Sequence, residues 1–265
     1  MADLEANRRV WTSDYDWSGE GDEWSRWWGG TDAMWFGALL PRIHRFVPTG
    51  TILEIAPGYG RWAQYLKDVC ERLVLVDMAP NCIDHCSRRF ADAGNIEYHV
   101  NDGMSLEMVP DRSVDFAFSF DSLVHASPAV VSGYVEQLAR KLTRDGAAFV
   151  HHSNLGSYRP LVALTHRWPP RSRPALVKLG LLVDLAAWRD EQMSARLFAA
   201  QCERAGLACV TQERITWHTG HYLMDTLSVF TPKGSRWDAP RVAHRNGGFR
   251  REARRMASSY SAQRS

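Results

Sequence analysis

A glycine loop between two apolar runs constrains this chain more than any other feature. Residues 51–60 read Thr-Ile-Leu-Glu-Ile-Ala-Pro-Gly-Tyr-Gly, which predicts a buried strand that breaks into a tight loop. Gly60 then begins a helix whose amide end can face a ligand. A second run, Leu-Val-Leu-Val-Asp, predicts a strand with Asp77 at its tip. The pattern is typical of a βαβ nucleotide site, in which an acid at about this spacing meets ribose hydroxyls.

The loop does not favour a dinucleotide. It lacks the third glycine and the close helix packing that a pyrophosphate fingerprint needs. Glu54, at the end of the first strand, would repel a diphosphate but suits an ammonium group. A nicotinamide dehydrogenase is therefore disfavoured, and an ordinary strand–turn–helix connection without a ligand is the plain structural alternative.

These residues resemble the motif I and motif II pattern of class I S-adenosylmethionine methyltransferases, E/D-x-x-x-G-x-G followed by an acid after the second strand. The matching residues are Glu54, Gly58, Gly60 and Asp77. In that family the glycines let the backbone approach the amino-acid end of the cofactor, and the second acid binds the ribose. The resemblance implies the same here, with S-adenosylmethionine as cofactor. The implied fold is α/β: a Rossmann-like class I methyltransferase fold with a seven-stranded, mostly parallel sheet flanked by helices.

The segment Asn101-Asp-Gly103 resembles the part of the family that contacts adenine, where an acid accepts from the exocyclic amine. Asp102 is the candidate for that contact, with Met78 against the base plane and a plain Asp-Gly turn as the alternative. The full set of residues that we expect to bind the cofactor is Glu54, Ala56, Gly58, Gly60, Asp77, Met78, Asp102, Gly103 and Phe120.

Strands and helices alternate after the glycine loop, as they do in a parallel sheet with crossover helices. The predicted helices are 61–69, 80–92, 128–142 and 194–205; the predicted strands are 72–77, 96–100, 114–120, 147–152 and an antiparallel pair, 207–217 and 221–231. Arg144-Asp-Gly146 is read as a turn before the fifth strand.

The chain divides into a catalytic domain and two flanking segments. The methyltransferase domain is expected at 50–232, with an acceptor-side insertion at 156–192. A tryptophan-rich segment, 1–49, precedes it and ends in a predicted helix at 32–47, and a basic tail, 233–265, follows it.

Tryptophan is unusually dense in the first segment, at positions Trp11, Trp17, Trp24, Trp27, Trp28 and Trp35. Two compatible interpretations exist. The rings cover the sheet edge, or they form a lid whose flat faces stack on the C–H faces of a sugar or another acceptor.

Polar side chains follow the fourth and fifth predicted strands, where ligands of open parallel sheets are found. Asp121, His125, His152 and Asn154 are expected to converge on this rim. Because side chains alternate along a strand, His151 and His152 cannot both face the site, and His152 is the favoured one.

An alcohol acceptor needs help to lose its proton, so a base or a metal is expected. His152 or His125 is the candidate catalytic base, and either could instead be a structural histidine. Asp121 is expected to orient that base, to bind acceptor hydroxyls or to hold Mg²⁺, and the sequence leaves these roles open.

The chain as a whole resembles bacterial sugar O-methyltransferases, including those that act on the reducing-end 1-hydroxyl of a methylated mannobiose in methylmannose polysaccharide biosynthesis. Three segments carry that resemblance: Tyr15-Asp-Trp-Ser18, Phe120-Asp-Ser-Leu-Val-His125 and His151-His-Ser-Asn154. It implies methyl transfer to a sugar hydroxyl on a small carbohydrate acceptor. The alternatives are another small hydroxylated or aromatic metabolite, or a protein that binds S-adenosylmethionine without catalysis.

A formal charge of +2 does not predict nucleic-acid binding. Much of the positive surplus lies in the last segment, at Arg236, Arg241, Arg245, Arg250, Arg251, Arg254, Arg255 and Arg264. We expect a solvated tail there or an oligomer contact, such as that of a homodimer.

Five cysteines, an odd number without a paired framework, indicate a reducing compartment. Cys82, His85 and Cys86 are read as faces of one helix rather than zinc ligands, because no second ligand pair follows at finger spacing. No charged apolar leader and no apolar run of ~18 residues is seen, so we expect a cytoplasmic protein without a membrane span.

Overall fold

The structure is a computed structural model that describes residues 4–185, 188–216 and 222–261. Within these ranges eight strands form one sheet: β1 (Thr49–Ile55), β2 (Cys70–Asp77), β3 (Ile96–Val100), β4 (Val114–Ser119), β5 (Leu142–Ser153), β6 (Leu207–Ile215), β7 (Asp225–Pro232) and β8 (Val242–Asn246). The order across the sheet is β3-β2-β1-β4-β5-β7-β6-β8. β7 is antiparallel to both of its neighbours, and the other pairs are parallel.

The helices in the described ranges are α1 (Leu4–Arg9), α2 (Thr31–Met34), α3 (Leu40–Ile43), α4 (Ala63–Leu66), α5 (Pro80–Arg89), α6 (Pro128–Lys141), α7 (Arg159–Arg167), α8 (Arg173–Lys178), α9 (Ala195–Arg204) and α10 (Phe249–Ser261). Single π turns extend α1 through Val10–Asp14 and join α2 to α3 through Trp35–Leu39. Serine residues cap the N-termini of α6 and α9: Ser127 Oγ accepts from the Val130 amide, and Ser194 Oγ accepts from the Leu197 amide.

Side-chain alternation along the central strands builds two apolar layers. Ile52 of β1 and Phe116 of β4 belong to the layer that contains Trp35 and Trp62. Leu53, the next residue of β1, belongs to the opposite layer, which is packed by α6 and α9. Because both faces are covered, the central strands are apolar along most of their length. The carboxyl ends of β1, β2, β4 and β5 therefore meet along one edge of a rigid scaffold.

The predicted α/β methyltransferase fold is confirmed, and the sheet has one strand more than expected. The extra strand, β8, comes from the segment predicted as a basic tail. α10 follows it and inserts Phe249, which is fully buried beside Trp28 with ring centres 6.1 Å apart. The interpretation of 233–265 as a solvated tail is therefore wrong, because this segment completes the sheet and packs on the tryptophan-rich segment. Arg264 lies outside the described residues.

Other boundaries differ by a few residues. The predicted turn at Arg144-Asp-Gly146 is a bulge inside β5: Val114 lies opposite Leu142, but Phe116 lies opposite Ala147. Predictions for Trp217 and His221 fall outside the described residues. Among the residues described, every helix is too short or too polar to span a bilayer.

Candidate active site

The loop after β1 is tied to the tip of β2 by Asp77. One carboxylate oxygen of Asp77 accepts from the Gly58 amide at 3.1 Å, and the other accepts from the Ala79 amide at 2.9 Å. Burial raises the pKa of Asp77 to about 6, although the hydrogen bonds from Ala79 and Gly58 act in the opposite direction. An acceptor group is thus held in place at the end of the strand.

The two loop glycines are required for different reasons. Both adopt left-handed conformations, with φ of 58° at Gly58 and 87° at Gly60. A Cβ at Gly58 would lie 3.0 Å from the Trp17 ring at the pocket wall, and one at Gly60 would lie 2.6 Å from the Phe90 ring in the core. Gly58 therefore lets a side chain close over the loop, whereas Gly60 lets the loop pack on α5.

A pocket that opens to solvent lies over this loop, with about 930 Å³ of empty space when the open solvent at its mouth is included. Six residues that the sequence predicts as cofactor-binding line it: Ala56, Gly58, Asp77, Met78, Gly103 and Phe120. Gly60 and Glu54 do not line it: Gly60 packs on the Phe90 ring in the core, and Glu54 is buried near the end of β1. The buried Tyr134 and the aromatic residue Trp17 also line the pocket.

Glu54 is buried under the loop, and its Oε2 has no hydrogen-bond partner in the described part of the chain. Burial raises the pKa of Glu54 to about 8; the Arg61 guanidinium opposes this shift and the Asp77 carboxylate adds to it. Two carboxyl groups whose pKa values are raised by burial become easier to ionise when a cation approaches. The pocket therefore suits a ligand that carries positive charge.

Asp102 is not among the residues that line the pocket, and its contact with adenine stays a prediction. Its Oδ1 accepts from the amides of Met104 and Ser105 at 2.8 and 2.7 Å. A short acidic side chain at the start of a turn satisfies the nearby amides first, which is why this residue type is common in turns. Gly103 reaches the wall instead, where a Cβ would lie 3.0 Å from the Met78 sulfur.

His152 faces away from the site, which corrects the choice between the two histidines. Its Nε2 lies 2.8 Å from Ser228 Oγ, and its ring stacks on Phe198 with centres 4.1 Å apart. The strand continues through Ser153, so the expected break comes too late to redirect His152. His151 is on the site's side of the sheet, with its Nε2 3.4 Å from an oxygen of Asp225.

Asn154 is also structural rather than part of the rim. Its amide nitrogen donates to the Leu223 carbonyl at 2.8 Å, and its amide oxygen accepts from the Ala195 amide at 2.9 Å. It joins the end of β5 to the start of α9.

Asp121 is at the rim, but it is enclosed by positive groups. Its Oδ2 accepts from Arg61 at 2.8 Å, and its Oδ1 lies 3.8 Å from Arg189. Burial acts to raise the pKa of Asp121, yet Arg61, His151 and Arg189 together hold it below the ordinary value. The described ranges contain no group of three or more His, Cys, Asp or Glu side chains placed to bind a metal. The expectation that Asp121 holds Mg²⁺ does not fit, because two guanidiniums repel a cation at this position.

His125 is the predicted catalytic residue that does reach the site. It lies in the 3₁₀ turn Leu123–His125, and its Nδ1 is hydrogen-bonded to the carbonyl of Trp188. Burial and the nearby Arg189 lower the pKa of His125 to about 4, so the ring is neutral at pH 7. Because a carbonyl only accepts, Nδ1 carries the proton and Nε2 keeps its lone pair.

A second, more open pocket adjoins the first, with about 1360 Å³ of empty space when the open solvent at its mouth is included. Four residues line both pockets: Trp11, Trp24, Asp121 and His125. The remaining walls of the second pocket are formed by Tyr15, Glu23, Arg26, Trp27, Trp28, Trp188, Arg189 and Arg250. Four residues of the site were not predicted from the sequence: Arg61, Trp188, Arg189 and Arg250. Of these, Trp188 and Arg189 lie in the 156–192 segment, which was predicted as an acceptor-side insertion.

The tryptophans of the first segment divide between the two interpretations. Trp28 and Trp35 are buried in the core, whereas Trp11, Trp17 and Trp24 line the first pocket. The Trp17 ring stacks on Tyr59 of the glycine loop, with centres 4.4 Å apart and planes 6° from parallel. The segment therefore covers the fold with some rings and closes the pocket with others.

Comparison with known proteins agrees with this geometry. Residues 52–146 match the family model described as a methyltransferase domain. Among solved structures, the chain is similar to the PH0226 protein of Pyrococcus horikoshii, with 18% identity, a TM-score of 0.55 and coverage of 85% of this chain and 96% of the other.

Two further structures give similar values. A complex of DhpI with SAH shares 16% identity and a TM-score of 0.55 over 88% of this chain and 96% of the other. A SAM-dependent methyltransferase of Leishmania major shares 13% identity and a TM-score of 0.56 over 86% of this chain and 82% of the other. At these identities the likeness shows the fold. No curated protein sequence matches the chain.

The match over residues 52–146 and the sheet order together define a methyltransferase domain in a Rossmann-like fold. The protein is an enzyme of methyl transfer.

Proposed function

We propose that the enzyme is an O-methyltransferase that acts on a hydroxyl of a small hydroxylated acceptor, in the first instance a sugar. The observation that carries this proposal is the junction of the two pockets at His125. A cofactor pocket and a tryptophan-walled pocket share a neutral histidine whose Nδ1 is occupied by a carbonyl.

The first pocket supplies the groups that a cationic methyl donor needs. S-adenosylmethionine supplies an electrophilic methyl group on its sulfonium. Asp77 offers carboxylate oxygens to the ribose hydroxyls, Met78 and Gly103 offer an apolar wall to the adenine, and the backbone of the loop at Gly58 lies open to the amino-acid end. Glu54 adds a negative charge beneath the loop when it ionises.

The second pocket suits an acceptor with flat apolar faces and polar edges. Trp24, Trp27 and Trp188 offer ring surface, while charged side chains reach the same cavity. Aromatic faces pack against the C–H faces of a sugar ring and need little rearrangement, because the large rings have few rotatable bonds.

His125 is the residue that we propose to accept the hydroxyl proton. A sugar hydroxyl is hardly ionised near neutrality, so it needs a nearby base as the new C–O bond forms. Nε2 of a neutral ring held through Nδ1 can take that proton. The Asp121 and Asp225 carboxylates stabilise the charged ring, whereas Arg189 and burial oppose it. Alignment of the acceptor and exclusion of water supply much of the remaining rate.

A magnesium ion at Asp121 is not part of this proposal, because Arg61 and Arg189 already neutralise that carboxylate. Asp121 instead fixes Arg61 at the junction of the pockets. Turnover that is unchanged by a chelator and by added Mg²⁺ would agree with this assignment, and chelator-sensitive turnover restored by Mg²⁺ would contradict it.

The test is transfer of a labelled methyl group from S-adenosylmethionine to a panel of mono- and disaccharides, including methylated mannobiose, next to a matched panel of phenols. We expect label on a sugar oxygen, and loss of that transfer in His125→Ala. Label on the phenols alone would contradict the sugar assignment and leave O-methyl transfer standing. Label on nitrogen or carbon acceptors alone would contradict the proposal as a whole.

A further inference from the structure

The second pocket has more positive than negative groups on its walls. Arg26, Arg189 and Arg250 line it, against Glu23 and Asp121. The Asp121 carboxylate is already bound by Arg61, and Glu23 accepts a hydrogen bond from the Tyr15 hydroxyl. Asp121 is thus paired with a guanidinium, Glu23 is bound through one oxygen by a hydroxyl, and Arg26 and Arg250 form none of the ion pairs found in the described ranges.

Arg250 and Arg26 both approach one exposed ring, that of Trp27. The guanidinium carbon of Arg250 is 5.0 Å from the centre of the Trp27 ring, and that of Arg26 is 5.7 Å from it. Arg254, one turn further along α10, approaches the carbonyl of Trp27 with its Nε at 3.4 Å. None of the ion pairs within 4.0 Å in the described ranges includes any of these three arginines.

The Nε–H of Arg250 is buried and has no hydrogen-bond partner in the described part of the chain. Burial and the neighbouring Arg254 lower the pKa of Arg250, so a nearby negative charge would favour its charged form. The Trp27 ring attracts the Arg250 guanidinium through a cation–π contact, but it offers no hydrogen-bond acceptor to the Nε–H. A negatively charged oxygen would relieve both deficits, because a guanidinium binds carboxylate or phosphate through paired N–H donors.

We propose that the acceptor carries an anionic oxygen group, a carboxylate or a phosphate, that binds Arg250 together with Arg26. The inference rests on the proposed function, since it assigns a substrate class to the same site. The anion would lie at the Trp27 wall of the second pocket, while the hydroxyl to be methylated reaches His125, which lines the same cavity. The substrate class is thus a hydroxylated acid or a phosphorylated sugar rather than a neutral one.

The placement also explains why α10 packs where it does. Phe249 anchors the helix beside Trp28, and the next residue, Arg250, enters the pocket. The C-terminal segment then contributes specificity as well as stability.

The experiment compares three probes of similar size: glucose, glucuronate and glucose 6-phosphate. Each is titrated against the full chain saturated with S-adenosylhomocysteine, and quenching of tryptophan fluorescence reports binding at a pocket rich in that residue. We expect the wild type to bind at least one anionic probe about tenfold or more tightly than glucose. The two anionic probes distinguish carboxylate from phosphate.

Three variants decide whether Arg250 is responsible. Arg250→Gln should abolish the preference, and Arg250→Lys should keep part of it because the charge remains. Arg255→Gln is the matched control: it removes an exposed arginine of the same helix that lies outside the pocket, and it should keep the full preference. A wild type without preference for an anion, or an Arg250→Gln protein that keeps it, would overturn the inference.

Methyl transfer separates the two proposals. If neutral sugars are methylated as fast as anionic ones, and Arg250→Gln changes neither rate, the anion site is wrong and the sugar assignment holds. If a phenolic acid is methylated in an Arg250-dependent manner and no sugar is, the anion site holds and the sugar assignment is wrong.

Discussion

The Gly58 amide donates a 3.1 Å hydrogen bond to Asp77 Oδ2, although Gly58 follows β1 and Asp77 is the last residue of β2. The bond closes the loop after β1 onto the tip of β2. The two motifs that appear separately in the sequence are therefore one structural unit, and a change at Asp77 affects both the loop and the ligand.

Asp77→Ala should weaken binding of S-adenosylhomocysteine by about tenfold or more. Each hydrogen bond to a charged acceptor is worth ~1.5–3 kcal/mol, and the variant removes those expected at the ribose. Calorimetry measures the affinity, with Asp92→Ala, an exposed acid after α5, as the control. Unchanged affinity in a folded Asp77→Ala protein, or tight binding of a nicotinamide dinucleotide, would refute the assignment.

Binding of S-adenosylmethionine at pH 7.5 should release protons. With a pKa of about 8, Glu54 is largely protonated in the free enzyme, whereas Asp77, at about 6, is largely ionised. A cationic ligand favours the ionised form of Glu54, so its pKa falls and a proton leaves. Calorimetry in buffers with different ionisation enthalpies measures this release, and Glu54→Gln should abolish it. Equal release in both proteins would mean that the proton comes from another group.

Trp17→Ala should speed dissociation of the cofactor and lower its affinity several-fold. The ring stacks on Tyr59 and closes over Gly58, and an aromatic pair of this kind contributes ~0.5–1.5 kcal/mol beyond its buried area. Trp27→Ala is the control, since Trp27 is 55% exposed and lines only the second pocket. Stopped-flow fluorescence gives both rates; identical dissociation rates in the two variants would remove the lid role from Trp17.

The cofactor half of the site could be predicted because its signals are local. The glycine loop, the apolar runs and the acid at Asp77 lie within 27 residues, and strand periodicity alone brings them together. Asp102 makes the turn contacts that the sequence offers as its alternative interpretation, because an Asp-Gly pair favours its own turn.

The acceptor half could not be predicted because distant segments build it. Trp11, His125 and Arg250 come from the first segment, the rim of β4 and the C-terminal helix, and no periodicity states where such a helix will pack. The choice between His151 and His152 depended on whether β5 ends one residue earlier or later. That boundary is decided by pairing with β7, which reaches as far as Ser153 opposite Asp225.

His152 should govern stability rather than catalysis. Burial lowers its pKa to about 4, so below pH 6.5 the unfolded chain takes up a proton that the folded protein resists. The free energy of unfolding should therefore fall by roughly 3 kcal/mol for this residue as the pH drops from about 6.5 to 4. Urea titrations of wild type and His152→Gln measure it, and the variant should lose stability less steeply over this window. Parallel curves would show that His152 does not titrate in this way.

The most direct test of the account is the rate of methyl transfer by His125→Ala with cofactor and acceptor both saturating. We expect kcat to fall by ~10²–10⁴ while cofactor affinity stays nearly intact, because the base acts only in the chemical step. In the wild type, kcat should stay level from pH 7 down to about 5 and decline as the pH approaches 4, since only the neutral ring accepts a proton and its pKa is about 4. His44→Ala, an exposed histidine, should behave as wild type. Wild-type turnover in folded His125→Ala, or a decline in wild-type kcat centred near the ordinary histidine pKa of ~6.5, would contradict the proposed role of His125.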